Sequence, residues 1–141
     1  MGTRSNIGIL NKDGSKEFVY CHWDGYPSNN GKLLLRFYNS EDAARGLIAL
    51  GGMSSLRGSI IAEGPHSYDK PDPNVTVYYH RDRGEPWEDN KPMTVAHGDV
   101  NEHSWEEWVY LWDVSKGFWT FSRGRKILEL KQLTIEAFHE E

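Results

Sequence analysis

Only one cysteine, Cys21, stands among 141 residues, which excludes an internal disulfide framework and suits a reducing compartment. No apolar run is long enough to span a bilayer, and the N-terminus lacks the basic and apolar regions of a signal peptide. A cytoplasmic protein without membrane contact is expected. Basic charge is also scarce: 16 Lys and Arg against 21 Asp and Glu leave a net charge of −5. Proteins that coat long nucleic acid rely on counterion release by a basic surface, so this balance argues against that class while leaving room for local basic clusters. Asn6 occupies the position where a myristoylation signal needs Ser or Thr.

What is present is enough to fold. Hydrophobic residues make up 38% and aromatic residues 13% of the chain, and a chain of this length buries a core as one domain, here residues 1–141. Ile7 and Ile9, the turn NKDGS and the alternating stretch EFVYCHW predict an opening hairpin. Ser28 or Asn29 is placed to cap a helix carrying Leu34, Leu35 and Tyr38. Ser40, followed by Glu41 and Asp42, is placed to cap a second helix that ends at Gly51-Gly52. The proline-bearing EGPHSYDKPDPN predicts a surface loop, and VTVYYH after it a strand. EEWVYLWDV and FWTFS around Ser115-Lys116-Gly117 predict a further hairpin, KILEL another strand, and TIEAFHEE a short C-terminal helix. Without a regular βαβ alternation, the expected class is α+β: a mainly antiparallel sheet, two helices inserted after the first hairpin, and helices on one face.

The stretch YCHWDGYPSNNGKLLL suggests a phosphate loop and fails as one. Gly25 and Gly31 enclose five residues, and Leu33 stands where a magnesium-binding hydroxyl is required. A turn and helix cap is the simpler account, with a weaker alternative in which amides at the helix start and Lys32 hold an anion.

A second pattern repeats. VYCHWDG (residues 19–25) and VYYHRDRG (residues 77–84) share V-Y-x-H-x-D. On strands, Tyr20, His22 and Asp24 share one face, as do Tyr78, His80 and Asp82, while Val19, Cys21 and Val77 point toward the helices. If the two strands are neighbours, imidazoles and carboxylates meet above a tyrosine floor. Such a grouping admits a metal site, an acid/base pair, a ligand site without chemistry, or strand ends that carry turn-forming Asp beside packed tyrosines. The two H-x-D pairs do not supply a complete ligand set, so no metal, cofactor or catalytic residue is assigned. Arg81 and Arg83 in RDRGE, the SRGRK segment and Arg4 add guanidinium groups suited to phosphate. Trp23 and Trp87 lie beside the two repeats, and aromatic faces near arginine are a means of holding bases.

Taken together, MGTRSNIGI, DGS, VYCHWDGYPSNNGKLLLRFYN, LIALGGMSSL and RDRGE resemble a family of small, largely uncharacterised proteins encoded by bacteriophages. The resemblance spans nearly the whole chain and is most specific at the first residues and at YCHWDGYP. It implies a setting, the cytoplasm of a bacterial host, rather than a reaction. The family pattern around RDRGE does not include His80, which weakens a two-histidine metal site. The frame x-T-R at the start is also faintly similar to that of hydrolases with an N-terminal nucleophile, but Gly2 stands where those need Cys, Ser or Thr.

The expected function is that of a phage accessory protein, for counter-defence or host takeover, that binds and sequesters a small anionic ligand. A nucleotide or a nucleotide-derived immune signal is the leading candidate. The expected ligand-binding residues are Arg4, Tyr20, His22, Trp23, Asp24, Tyr78, His80, Arg81 and Arg83. Two alternatives stand beside it: an inhibitor that binds a host protein through acidic surface such as PWEDN and NEHSWEEW, and a small hydrolase using His22 and Asp24. Homo-oligomerisation is left open.

Overall fold

The computed structural model describes residues 2–97, 105–124 and 129–139. They form an α+β fold around one mixed sheet. The first hairpin is β1 (Ser5–Leu10) and β2 (Lys16–Cys21). A π-helical turn, Pro27–Gly31, leads into α1 (Lys32–Phe37), and α2 (Glu41–Ile48) follows. Next come β3 (Met53–Ser55), β4 (Val77–Tyr78), α3 (Tyr79–Arg83) and β5 (Met93–Val95). The hairpin β6 (Trp108–Asp113) and β7 (Phe118–Arg123), then β8 (Lys131–Gln132), complete the sheet. A 3-10 turn at Ile135–His139 stands where a short C-terminal helix is predicted. Of KILEL, residues 126–128 lie outside the described residues.

The sheet order is β4-β3-β2-β1-β6-β7-β8, with β5 also paired to β2. Sequence neighbours pair antiparallel in β1/β2, β3/β4, β6/β7 and β7/β8, and β2/β5 is antiparallel as well; β1/β6 and β2/β3 are parallel. Alternation sets the faces. Ile7, Ile9, Val19 and Cys21 join Trp108, Tyr110, Trp112, Trp119 and Phe121 in one cluster with Leu34, Leu47 and Ile48 of the helices. The other face of the central strands is covered as well, by a smaller cluster of Phe18, Val95, Trp105, Val109 and Leu111. This is why β6 reads as a continuous apolar run: all six of its residues are buried. Gly8 is required where β1 and β2 lie closest, because a Cβ there would strike the Glu17 carbonyl oxygen.

Local signals explain α2 but not α1. Ser40 Oγ accepts the Ala43 N–H (3.1 Å), Glu41 and Asp42 occupy the first turn, and Arg45 pairs with Glu41 at 2.8 Å. Ala44, Leu47 and Ile48 form its buried stripe, and Gly51, at φ 90°, takes the chain out of the helix in the left-handed region. Neither Ser28 nor Asn29 caps α1. Both lie inside the π-helical turn, Gly31 precedes α1 without a side-chain cap, and the amides of Asn29 and Asn30 both donate to the Tyr26 carbonyl (3.0 Å). That turn is held from within by buried Asn30, which donates to Ser5 Oγ at 3.1 Å, and by the Tyr110 hydroxyl, which donates to the Gly25 carbonyl at 2.6 Å.

Candidate functional site

The two V-Y-x-H-x-D segments lie in one sheet but do not adopt one conformation. The first lies in β2 only through Cys21; His22 and Asp24 fall beyond the strand, and Asp24, at φ 54°, has left its alternation. The second leaves the sheet after Tyr78, where the chain enters α3, so His80 and Asp82 are helical. Asp82 Oδ2 accepts the Tyr78 N–H at 2.7 Å, which folds the segment back on itself. The expected strand VTVYYH is thus cut to Val77–Tyr78, and the shared face of Tyr78, His80 and Asp82 is overturned.

Tyr78 is likewise not on a binding face. It is 0% exposed, packed in the helix-side cluster, and its hydroxyl donates to the Leu47 carbonyl of α2 at 2.6 Å. Burial first of all pushes its phenol far above the ordinary value. Tyr20 does lie on the opposite face, half buried. Val19 and Cys21 point to the helices as expected, whereas Val77 is buried outside that cluster. Burial raises the Cys21 thiol to about 11, so it packs as an inert group.

A cleft of about 820 Å³ opens where the edge of β2 divides. Lys16, Glu17 and Phe18 pair with β5, Cys21 pairs with β3, and neither Val19 nor Tyr20 is in register with either strand. Two strands diverging from one edge leave a crevice, much as ligand clefts form where strand order reverses in other sheets. Tyr20 floors it; Tyr79, Arg83 and Glu85 line one side, and Glu88 to Val95 the other. Gly52 clamps the two sides, its N–H donating to Asn90 O (2.7 Å) and its carbonyl accepting the Tyr79 N–H (3.2 Å). Burial pushes the Tyr79 phenol up to about 12.

Electrostatically the cleft is mixed. Three carboxylates, Glu85, Glu88 and Asp89, face two cations, Arg83 and Lys91. Lys91 pairs with Glu88 at 2.7 Å; Arg83 approaches Glu85 at 3.4 Å, its side chain 52% exposed and its guanidinium 4.5 Å from the centre of the Tyr68 ring. Such a cleft repels a polyphosphate and tolerates one anionic group, at Arg83.

The other expected residues divide into two sets. Near the hydroxyl end of Tyr20, its oxygen lies 2.6 Å from His22 Nδ1, and Arg4 offsets the rise that burial gives its pKa. His22 packs edge-on against Trp23 at 4.6 Å. Trp23, 41% exposed, and Asp24 face away from the cleft into a separate groove with Phe37. Asp24 takes φ 54°, and Asn29 Nδ2 donates to its carbonyl at 3.1 Å. Around α3, Arg81 is a structural brace: it bonds both Asp82 oxygens (2.8 and 3.1 Å) and the carbonyls of Ile60 and Thr76. His80 Nδ1 donates to the Glu85 carbonyl (2.7 Å), and its ring meets Trp87 edge-on. Of the expected set, then, only Tyr20 and Arg83 line the cleft, one from each repeat. Of SRGRK, Arg123 lies over the Trp108 ring, and Arg125 and Lys126 fall outside the described residues.

Cleft residues outside the expected binding set include Gly52, Tyr79 and Met93, while Glu88 to Asn90 belong to PWEDN, expected as acidic surface. The repeat gives the second strand the phase of the first, which puts Tyr78 outward and Tyr79 inward, the reverse of what is found, and Gly51-Gly52 carries no signal beyond ending a helix. Among the described residues, no three His, Cys, Asp or Glu side chains converge as a metal-binding group. No helix among them is long and apolar enough to cross a membrane.

These features define an α+β protein with a half-open cleft at a forked strand edge. No protein-family model, no curated protein and no solved structure matches the chain.

Proposed function

We propose that this chain is a phage accessory protein that binds and sequesters a small nucleotide-like ligand in the cleft at the fork of β2. The observation that carries this reading is the meeting there of Tyr20 and Tyr79 with a single half-exposed arginine, Arg83. The tyrosines offer faces for a base, and Arg83 offers a planar fork for one phosphate. The acidic rim favours a mononucleotide or a cyclic oligonucleotide, whose phosphates are spread singly, over a triphosphate. A cleft of about 820 Å³ has room for such a ligand.

Calorimetry against a panel of mononucleotides and cyclic di- and trinucleotides tests it. Arg83→Ala is expected to weaken binding by roughly tenfold or more, the loss of one charge-assisted contact, and added salt to weaken the wild type. No panel member binding in the micromolar range, together with a host protein that co-purifies, would replace this reading with that of a protein-binding inhibitor. For that second reading, exposed Trp87 with Glu88 and Asp89 is the favourable surface. Of NEHSWEEW, residues 101–104 lie outside the described residues, and Trp105 and Trp108 are buried.

A further inference from the structure

The segment 61–74 carries three prolines, joins no strand and contains no fully buried residue. Its base is closed: the Ser59 N–H donates to Asn74 O (3.1 Å) and the Thr76 N–H to Ser59 O (2.8 Å), which makes it a loop with adjoining ends. A loop with so little apolar burial is held only by discrete contacts. The deepest of these is His66, whose side chain is 3% exposed and sits against Asp82, 5% exposed, with Nε2 3.2 Å from Oδ2. The Asp72 N–H donates to His66 Nδ1 at 2.9 Å, so the ring carries its proton on Nε2, toward the carboxylate. The Nε2 approach is too oblique for a full hydrogen bond. Two residues on, the Tyr68 N–H donates to the Asp82 carbonyl at 3.0 Å, and the Tyr68 ring lies 4.5 Å from the Arg83 guanidinium and 6.2 Å from the Tyr79 ring. No residue of the loop lines the cleft itself, yet through Tyr68 it touches two side chains that do.

We infer that segment 61–74 is a strap, latched by His66 on Asp82, whose closure orders Arg83 and Tyr79 and is thereby linked to occupancy of the cleft. Asp82 makes a detachable latch reasonable. Its carboxylate also binds Arg81 and the Tyr78 N–H, so α3 keeps its hub when the strap leaves. Latched, Tyr68 confines Arg83 against one ring face; released, Arg83 regains its rotamers and must be ordered again by a ligand. The linkage is reciprocal: whatever factor the latch adds to affinity, the ligand adds to latching. The linkage to occupancy rests on the cleft reading above; the latch does not.

The test uses the full chain as wild type, His66→Ala, His66→Gln and Tyr68→Ala. Gln keeps a donor for Asp82 and an acceptor for the Asp72 N–H. Hydrogen exchange across 61–74 is expected to quicken by about tenfold or more in His66→Ala while β1 and β6 stay unchanged, and to remain near wild type in His66→Gln. The NMR signal of the Arg83 side-chain N–H is expected to become mobile in His66→Ala and Tyr68→Ala, without any ligand. Unchanged strap exchange in His66→Ala, or an Arg83 equally ordered in all four proteins, overturns the latch. Adenosine 5′-monophosphate and a cyclic dinucleotide serve as probes of the linkage. Each probe that binds should slow strap exchange in the wild type and bind more weakly to His66→Ala. Equal affinity for both proteins overturns the linkage. If neither these probes nor any other member of the nucleotide panel binds, the nucleotide reading and the linkage to it fall, and strap exchange with the Arg83 signal, both read without ligand, still decide the latch.

Discussion

Replacing Tyr78 by Phe separates the two roles open to this side chain. The substitution removes one oxygen from a residue that is 0% exposed and whose hydroxyl donates to the Leu47 carbonyl at 2.6 Å. The ring stays, and with it the packing under α2 and the Arg81 guanidinium 4.9 Å from its centre. What is lost is one buried hydrogen bond, leaving the Leu47 carbonyl without that donor, at a cost of roughly 1–3 kcal/mol. For 141 residues the unfolding entropy is about 0.3 kcal/mol/K near 60 °C, so Tm should fall by about 3–10 °C. Differential scanning calorimetry measures it, with urea unfolding at constant m as a second reading. Affinity for any nucleotide that binds the wild type should not change. A Tm within a degree of wild type, or weakened ligand binding at unchanged stability, would refute the burial of this hydroxyl and return Tyr78 to a binding surface.

Two further outcomes follow from the same geometry. Arg81→Ala should lower stability by about 1–3 kcal/mol, because it strips Asp82 of its guanidinium partner and frees the Ile60 and Thr76 carbonyls, whereas Arg83→Ala should stay within about 0.5 kcal/mol of wild type; paired urea melts compare them, and the reverse order would show that Arg81 is not a brace. Cys21, fully buried with its thiol raised to about 11, should resist a thiol reagent at pH 8 in the native protein and react at once in 6 M guanidinium, which absorbance of the released chromophore follows; rapid native labelling would show that the helix face of β2 is open.

Much of the architecture was legible in local patterns. Alternation in EFVYC placed Val19 and Cys21 inward and Tyr20 outward, the Ser40 cap and the i, i+3, i+4 stripe gave α2, and turn residues marked both hairpins. These signals work because side-chain direction and capping depend on neighbours within a few residues. The same logic failed at Tyr78. The repeat lent the second strand the phase of the first, but β4 meets β3 in an irregular register, with Met53 opposite Tyr78 and Ser55 opposite Val77; Tyr78 points to the helices, and Asp82 then turns back to take its N–H.

The sequence by itself determined the α+β class, the inert cysteine, the mixed but acidic charge, and Tyr20 and Arg83 as residues worth testing. Only the tertiary structure decided which of the expected residues meet. The cleft exists because β5, some 75 residues beyond β2, takes half of the edge that β3 shares, and no local pattern records which strand will claim which edge. Arg81 and Arg83, two positions apart, face opposite fates for the same reason. One is drawn into neighbouring Asp82, the Thr76 carbonyl and the carbonyl of Ile60, 21 residues away, and the other is left half in solvent beside a cleft whose far side comes from Glu88 to Val95.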